Sequence, residues 1–320
     1  MSPIPPDIGC DKNMILPNPL YPGARVALVN TSSAADPRRL PAALDAVKAL
    51  GLVPTPYPSC YAASRHGYLA ADDAQRAKDL QDAFADDAIA GVLCLRGGYG
   101  AHRILPLLDL DAIARRPKPF VGYSDVTALH TAFQQSCGFV TFHAPMPASD
   151  YYEPVDEYTL SQLRRCLFGP LSGPVENPAG QPLVPLAPGS ATGRLCGGNL
   201  SLLAASLGTP WEIDTRGKLL FLEDVGEKVY RIDGMLTQLR NAGKFRDCAG
   251  VILGEWTDCP PEDPERSLTL EEVFRELIVP AGKPVLSGLS CGHTLPTLSL
   301  PLGAMAAMDA DTGRLEVLPQ

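Results

Sequence analysis

The sequence predicts an α/β protein whose N-terminal half forms a doubly wound parallel sheet. Continuous apolar runs alternate with amphipathic stretches through the first half of the chain, and this alternation is typical of parallel sheets covered by helices on both faces. Two of the apolar runs end in glycine-containing turns. Sheets of this kind bind ligands at the carboxyl ends of their strands, so we expect a functional site at these turns.

The elements of the first half follow from apolar runs and helical spacing. An apolar run predicts a strand at 25–29, and the helix after it opens at Asp36 and Pro37 and ends at Gly51. A second helix is predicted at 71–84. The remaining predicted strands are 91–95, 119–121 and 139–143.

Residues 169–190 are the predicted boundary between two domains. They are rich in glycine and proline, a composition that cannot sustain a helix and suits a linker or extended edge segments. The predicted N-terminal domain is 1–168 and the C-terminal domain is 191–320. In the second half we predict strands at 191–196, 219–222 and 251–253, helices at 199–207 and 233–241, and a helix that starts with a capping box of Thr269 and Glu272.

Charge and composition exclude several classes of partner. The 320 residues carry a net charge of -9 with a pI near 5.1, whereas nucleic-acid-binding proteins need a basic surface. Residues 1–24 lack the pattern of a signal peptide, and no apolar run approaches a membrane span. The nine cysteines have no C-x-x-C spacing, so we expect free thiols in a cytoplasmic protein that has no membrane partner.

The stretch 118–130, KPFVGYSDVTALH, predicts a strand, a tight turn and a helix with Ser124 at the turn. A serine placed there is a candidate nucleophile beside the free amides of the helix. The nucleophile elbow of α/β-hydrolases has the pattern G-x-S-x-G, but Val126 occupies the second glycine position here. The alternative is that Ser124 serves only as a helix N-cap.

A glycine-rich turn, RGGYG at 96–100, follows the predicted strand 91–95. Glycines let the backbone approach a ligand closely. The pattern matches neither the dinucleotide fingerprint nor the Walker loop, so an oxyanion-binding turn or a plain tight connection is favoured over a nucleotide site.

A nucleophilic serine needs a histidine base and an acid that orients it. His66 and His102 have no special context, His130 faces away from the serine on the same helix, and His143 ends a strand. His293 lies in SCGHT, a glycine-flanked turn after an apolar run, where catalytic histidines are commonly presented. A structural histidine remains the alternative.

The orienting acid is expected in the segment LEDVGE. Glu223, Asp224 and Glu227 cluster there at the end of a predicted strand. A carboxylate at a strand end is mostly solvated, so this cluster alone does not identify the acid.

Six segments, in their order and spacing, resemble the LD-carboxypeptidase (murein tetrapeptide carboxypeptidase) family of serine peptidases, which includes the microcin-C immunity peptidases. The resemblance runs from about Tyr21 to the C-terminus. The segments are GYLAADDAQRAKDLQDAFAD, LCLRGGYGAHRILPLLD, FVGYSDVTALH, TGRLCGGNLSLLAASLGTPWEID, LFLEDVGEKVYRIDGMLTQL and LSGLSCGHTLPTLSLPLGA.

The resemblance implies a Ser-Glu-His triad of Ser124, Glu223 and His293, with an oxyanion hole from the backbone N–H groups of Gly98 and Asp125. It also implies a flavodoxin-like N-terminal domain, a smaller C-terminal α/β domain of the swivelling β/β/α type, and a homodimer. No cofactor or metal is expected. The implied substrate is cytoplasmic murein tetrapeptide, a small peptide from which the enzyme releases the terminal D-Ala.

Arg96 and Arg231 are candidates for binding a substrate carboxylate, because a guanidinium binds carboxylates with two parallel hydrogen bonds. A structural ion pair is the alternative for each. Two positions depart from the family pattern: Gly234 stands where arginine is usual, and Ala144 where glycine is common.

Two other functions stay open from the sequence. The same triad is compatible with a microcin-immunity-type peptidase that cleaves a peptidyl-aminoacyl nucleotide. The glycine-rich turn and the helix start at Ser124 are also compatible with a non-catalytic anion-binding α/β protein.

Overall fold

A computed structural model describes residues 14–261 and 263–320. Its two sheets are flanked by helices, and a small two-stranded ribbon accompanies them. The strands are β1 (Arg25–Val29), β2 (Val53–Pro56), β3 (Ser64–Arg65), β4 (Leu69–Ala70), β5 (Gly91–Cys94), β6 (Phe120–Gly122), β7 (Thr141–His143), β8 (Gly173–Pro174), β9 (Val184–Ala187), β10 (Ser190–Asn199), β11 (Leu219–Val225), β12 (Gly250–Thr257), β13 (Val285–Ser287), β14 (Leu300–Leu302), β15 (Met305–Asp309) and β16 (Arg314–Val317).

The helices of the described residues cover both sheets. They are α1 (Leu40–Ala49), α2 (Asp73–Ala85), α3 (Ala101–Ile104), α4 (Leu110–Ala114), α5 (Thr127–Ala132), α6 (Glu157–Phe168), α7 (Leu200–Ala205), α8 (Val229–Asn241), α9 (Lys244–Asp247) and α10 (Leu270–Leu277). Single 3₁₀ or π turns lie at Pro58–Tyr61, Leu105–Leu107, Ser124–Val126, Phe133–Cys137 and Val279–Ala281.

The first sheet has the order β14-β7-β6-β5-β1-β2, and all its pairs are parallel except β14 with β7. Numbered along the chain, the five parallel strands have the order 2-1-3-4-5, which is the flavodoxin-like arrangement. The predicted doubly wound sheet is therefore confirmed. β5 and β6 are neighbours, so the turns that follow them lie side by side at one edge.

The second sheet has the order β8-β16-β15-β10-β11-β12-β13-β9. Its centre, from β10 to β13, is parallel, and antiparallel strands extend it on both sides. Every residue of β11 except the last, Val225, is buried, as expected for a central strand covered on both faces. The predicted smaller α/β domain is confirmed as a fold.

The two sheets share one apolar core. A single buried cluster contains Leu28 and Phe142 from the first sheet and Leu195 and Phe221 from the second. β14, which comes from the C-terminal half, adds to the first sheet by pairing Leu300 with His143. The two halves are therefore packed together by apolar burial as well as by backbone pairing.

Most predicted elements are present with small boundary shifts. β1 has the predicted bounds, and the predicted capping box of α10 is present. α8 begins at Val229 rather than at 233. The predicted linker contributes two edge strands, β8 and β9, to the second sheet. The domain boundaries themselves stay a prediction.

Within the described residues, no helix combines the length and the apolar character that crossing a membrane requires. The eight cysteines in this part of the chain are all buried. The ninth, Cys10, lies outside the described residues.

Candidate active site

Ser124 lies at a sharp turn between β6 and α5 and has a left-handed backbone conformation. Its φ is 62°, a region that costs a residue with a side chain about 1–2 kcal/mol. The N-cap of the 3₁₀ turn is Tyr123, and no side chain caps it. The alternative in which Ser124 serves only as an N-cap is therefore wrong. A strained serine after a parallel strand has the geometry of a nucleophile elbow, even with Val126 in place of the second glycine.

The glycine-rich turn after β5 packs directly against this serine. A Cβ atom added at Gly97 would lie 2.9 Å from Cβ of Ser124 and 3.1 Å from its Oγ, so a larger residue would displace the serine. The next residue, Gly98, is exposed with a φ of +111°. Its N–H donates to no group within the described part of the chain. This unpaired amide beside a serine hydroxyl is what an oxyanion-binding turn requires.

The carboxylate of Asp125 joins the two turns. Its Oδ2 accepts a 2.8 Å hydrogen bond from the N–H of Ala101, the first residue of α3. Asp125 is buried, so water does not compete for this bond. Because Ala101 follows the glycine-rich turn and Asp125 follows the serine, the bond fixes the spacing between the two candidate oxyanion amides.

Glu223 and His293 form a hydrogen-bonded pair. Nδ1 of His293 lies 2.7 Å from Oε2 of Glu223, which is fully buried at the end of β11. A carboxylate can only accept, so Nδ1 carries the proton and Nε2 is available as a base. The close approach depends on Gly292, where an added Cβ atom would lie 2.7 Å from the same carboxylate oxygen.

The charge of Glu223 makes His293 a stronger base. Burial by itself lowers the pKa of His293, but the hydrogen bond and the negative charge of Glu223 outweigh it, and the pKa is raised above its ordinary value. Asp224 and Asp150 act in the same direction. Burial raises the pKa of Glu223, and the bond to His293 opposes that rise.

The loop that carries His293 is held between the two sheets. It leaves β13 of the second sheet and enters β14 of the first. The carbonyl oxygen of His293 accepts a 2.7 Å hydrogen bond from Oγ1 of Thr257 on β12. Its ring packs against Tyr123, with the two ring centroids 4.7 Å apart. The imidazole thus lies beside the residue that precedes Ser124.

A second contact joins the serine helix α5 to strand β10 of the second sheet. The N–H of Asn199 donates to Oγ1 of Thr127 at 3.0 Å. Asn199 is also the cross-strand neighbour of Glu223. A direct hydrogen bond between Ser124 and His293 is absent among the described residues. Unliganded active sites often hold this bond long. The contact that the structure shows between the serine turn and the histidine is the packing of the His293 ring on Tyr123, the residue before Ser124.

Two models of one family cover the chain. The LD-carboxypeptidase N-terminal domain matches residues 26–144, and the LD-carboxypeptidase C-terminal domain matches residues 192–308. The chain belongs to the LD-carboxypeptidase family. The sequence resemblance is confirmed, and with it the assignment of the protein as a carboxypeptidase of the serine peptidase class.

Individual relatives of this LD-carboxypeptidase agree with the family match. The Bacillus subtilis (strain 168) protein named "Probable murein peptide carboxypeptidase" is 43% identical over 294 residues, which is 92% of this chain and 91% of the relative. The Escherichia coli protein named "Microcin C7 self-immunity protein MccF" is 28% identical over 77% of this chain and 78% of its own. The crystal structure of muramoyltetrapeptide carboxypeptidase from Oxalobacter formigenes has a TM-score of 0.82 and 28% identity, covering 92% of this chain and 99% of that one.

The other four histidines of this LD-carboxypeptidase differ from His293 in their surroundings. His130 and His143 are fully buried, and burial lowers the pKa of His130 to about 4 and that of His143 well below its ordinary value. His102 is partly buried with a lowered pKa, mainly through burial. His66 is exposed in the ribbon turn. Among the described residues, His293 is the one histidine that forms an ion pair with a carboxylate.

The two candidate arginines are placed differently. Arg231 is exposed on α8 and forms an ion pair with Glu227 at 2.8 Å. A structural ion pair of this kind is the alternative to substrate binding that the sequence left open for Arg231. Arg96 is half-buried beside the glycine-rich turn, and its Nη1 donates to the carbonyl of Ala34 at 3.1 Å. Arg96 therefore keeps its place at the site, whereas no contact in the described residues brings Arg231 to the triad.

Gly234 and Ala144, the two residues that depart from the family pattern, have different surroundings. Gly234 is exposed on α8, and an added Cβ atom there would meet nothing within 4 Å. Ala144 is buried, and its N–H donates to the carbonyl of Gly122 at 3.1 Å. Ala144 thus supports the start of the serine turn, whereas Gly234 borders open space.

Sequence reasoning missed the residues that connect the site. Tyr123 donates from its hydroxyl to Oδ1 of Asp150 at 2.8 Å, and the other oxygen of Asp150 accepts from the N–H of Met146. Asp150 lies in a loop of no recognisable motif, so nothing in its local sequence indicates this role. Asn199 could have been found through its place in the GGN segment of the family resemblance.

Proposed function

We propose that this protein is a serine LD-carboxypeptidase that releases the terminal D-Ala from murein tetrapeptide through a Ser124, Glu223 and His293 triad. The observation that carries the proposal is the hydrogen bond from His293 to the buried Glu223, with the His293 ring packed on Tyr123, the residue before the strained serine. The 43% identical relative named as a murein peptide carboxypeptidase supports the substrate class.

The chemistry follows from the positions of these groups. Nε2 of His293 takes the hydroxyl proton as Oγ of Ser124 attacks the carbonyl carbon of the L,D-peptide bond. The negative oxygen that forms is stabilised by the N–H groups of Gly98 and Asp125. His293 then gives its proton to the amine of the departing D-Ala. A water molecule, deprotonated by the same imidazole, hydrolyses the acyl-enzyme and restores the serine.

Glu223 keeps His293 in the correct tautomer throughout. A carboxylate that accepts from Nδ1 holds the proton there and leaves Nε2 free to act as base. The negative charge also stabilises the imidazolium that forms in each half-reaction. Since Glu223 is fully buried, its charge acts in a medium of low polarity, where it has more effect than on the surface.

The proposal extends to the cellular compartment and the oligomeric state of the enzyme. We expect a cytoplasmic enzyme that acts in peptidoglycan recycling, and a homodimer, as the family resemblance implies. Cell fractionation with an antibody against the protein tests the compartment. Light scattering of the purified chain at several concentrations tests the dimer.

A second candidate function is cleavage of a peptidyl-aminoacyl nucleotide. The 28% identity to the microcin C7 self-immunity protein favours it, and the proposed triad would serve either substrate. The substrate alone distinguishes the two enzymes.

One experiment separates the candidates. The protein is incubated with murein tetrapeptide and, separately, with a peptidyl-aminoacyl nucleotide, and the products are followed by mass spectrometry. We expect free D-Ala from the tetrapeptide. Cleavage of the nucleotide conjugate alone would favour the second function.

A fluorophosphonate probe tests the third reading, that of a non-catalytic anion-binding protein. Labelling that is present in the native protein and lost in Ser124→Ala supports the nucleophile. Absence of both turnover and labelling would favour a non-catalytic anion-binding protein.

A further inference from the structure

Arg96 lies against the candidate oxyanion turn with most of its hydrogen-bonding capacity unused. Its Nη2 would be 3.6 Å from a Cβ atom added at Gly98. Its Nη1 donates to the carbonyl of Ala34, and its Nε is buried without a partner within the described residues. A guanidinium has five N–H donors, so this one has donors to spare for a ligand at the turn.

A second arginine approaches the same turn from the start of α1. Nη1 of Arg39 makes a long 3.4 Å hydrogen bond to the carbonyl of Ala148, and its guanidinium stacks over the ring of Tyr152 with Cζ 4.4 Å from the centroid. The N–H of Ala148 in turn donates to the carbonyl of Leu95, the residue before Arg96. Both arginines are therefore anchored at the carboxyl end of β5.

Neither Arg39 nor Arg96 forms an ion pair with another described residue. In the part of the chain that the structure describes, every ion pair involves groups other than Arg39 and Arg96. Asp36, close by in the sequence, forms its ion pair with Arg38, and the more distant charge of Arg39 contributes less to the lowered pKa of Asp36. Burial and then the positive charge of Arg39 lower the pKa of Arg96. Two cations that repel each other and that form no ion pair with any described residue are stabilised when an anion binds between them.

We propose that Arg39 acts with Arg96 to bind the free C-terminal carboxylate of the substrate, and that Arg39 is the residue that restricts cleavage to the last peptide bond. This inference rests on the proposed function. The terminal carboxylate of a peptide lies one residue beyond the scissile carbonyl, and consecutive Cα atoms are about 3.8 Å apart. Arg96 borders Gly98, where the scissile oxygen would bind, so a carboxylate at that distance lies within reach of Arg96. Arg39 is held at the same end of β5 through Ala148.

The stacking of Arg39 on Tyr152 gives the second cation a fixed position. An exposed arginine without a partner samples many rotamers, and ordering it upon binding costs free energy. The aromatic ring holds the guanidinium before the ligand arrives. The fixed planar group can then share the carboxylate with Arg96 at a smaller entropic cost.

The test compares binding of two peptides to the full-length protein with Ser124→Ala, which prevents turnover. The probes are murein tetrapeptide ending in D-Ala and the same peptide ending in D-alaninamide, measured by isothermal titration calorimetry. The variants are Arg39→Gln, Arg39→Lys and, as the matched control, Arg38→Gln, whose side chain is exposed and paired with Asp36. Thermal unfolding of each variant checks that the fold is intact.

We expect the parent to prefer the free acid, and Arg39→Gln to weaken binding of the acid by about tenfold or more while leaving the amide unchanged. Arg39→Lys should retain part of the preference, and Arg38→Gln should retain all of it. Equal binding of acid and amide by the parent, or an equal effect of Arg39→Gln on both peptides, would overturn the inference.

Turnover by the native enzyme separates this inference from the proposed function. Release of D-Ala from the acid and of D-alaninamide from the amide at equal rates would overturn the role of the arginine pair and keep the carboxypeptidase. A preference for the acid in binding, without turnover of either peptide, would keep the arginine pair and overturn the proposed reaction.

Discussion

Oε2 of Glu223 and Nδ1 of His293 are 2.7 Å apart, although 70 positions separate the two residues in the chain. Glu223 lies near the carboxyl end of a buried strand of the second sheet, and His293 lies in the loop that crosses from that sheet to the first. The relationship depends on the packing of both sheets. It gives the imidazole a fixed tautomer and a raised pKa, and both properties can be measured.

Glu223→Gln should lower kcat/KM by about three to four orders of magnitude, as the matching acid-to-amide change does in serine proteases. The amide also removes the negative charge that raises the pKa of His293, so that pKa should fall. Activity requires neutral His293 and therefore rises as pH increases through its pKa. The acid limb of the pH profile of kcat/KM should thus move to lower pH in the variant.

The pH dependence of kcat/KM is the measurement, since it reports the pKa of the free enzyme. Glu271→Gln is the matched control, because Glu271 is an exposed helix residue paired with Arg275. It should leave both the rate and the limb unchanged. An acid limb that stays in place in Glu223→Gln would show that Glu223 does not act on the base.

The backbone strain at Ser124 predicts an inverted stability order for two inactive variants. Glycine adopts a φ of 62° without the cost of about 1–2 kcal/mol that alanine incurs, and its greater freedom in the unfolded chain offsets about 0.4–1 kcal/mol of this gain. Ser124→Gly should therefore be more stable than Ser124→Ala by about 0.8 kcal/mol, the middle of the two ranges, while both lose activity.

Urea unfolding of the two variants measures this difference. Ser161 provides the control, since it is exposed in the middle of α6. There, Ser161→Gly should be less stable than Ser161→Ala by about 1 kcal/mol, because glycine is a poor helix former. The same order at both positions would contradict strain at the serine turn.

Much of the fold was predictable because its signals are local. The strand at β1 and the capping box of α10 depend on a few consecutive residues, and both were predicted correctly. The left-handed conformation of Ser124 has no such local signal. Its φ depends on the residues that pack around the serine rather than on a second glycine in the turn. Gly97 fills that role from another strand, at a contact that the sequence does not reveal.

The partners of the site were harder to predict than its reactive residues. Ser124, Glu223 and His293 lie in segments that carry the family resemblance, and that resemblance implies their roles. Asp150 and Arg39 have no motif, and they reach the site only because their loops fold back onto the first sheet. Long-range packing of this kind carries no local pattern of spacing or composition.

Asp125→Ala should lower kcat by about tenfold to a hundredfold and change KM by less than about twofold. The variant keeps the backbone N–H of residue 125 but loses the bond to Ala101 that sets the spacing of the two turns. Loss of a whole oxyanion donor costs about a hundredfold to a thousandfold, and misplacing one should cost less. Binding of the substrate in the ground state depends little on these amides.

Asp125→Asn is the informative partner variant, because its amide oxygen can still accept from Ala101. It should recover most of the lost kcat. Steady-state kinetics of both variants and their thermal unfolding midpoints complete the measurement. Equal losses in kcat and affinity, or a defect in Asp125→Asn as large as in Asp125→Ala, would contradict a positioning role through this bond.

Thr127→Val tests the contact that ties the serine helix to the second sheet. Valine has nearly the same shape as threonine but cannot accept from the N–H of Asn199, which would be left buried without a partner. An unsatisfied buried donor costs about 1–3 kcal/mol, so the free energy of unfolding should fall by that amount. Because the helix begins beside Ser124 and Asn199 lies next to Glu223, we also expect kcat to fall.

Two further variants separate this contact from a general effect on the helix. Thr127→Ser keeps the hydroxyl and should retain most of the stability and kcat. Thr131→Val removes a hydroxyl one turn later, whose bond goes to the carbonyl of Thr127 within the same helix. It should cost less than about 1 kcal/mol, since that carbonyl keeps its helical partner. If Thr131→Val lowers kcat as much as Thr127→Val, the bond between the two sheets does not hold the serine and the histidine in register.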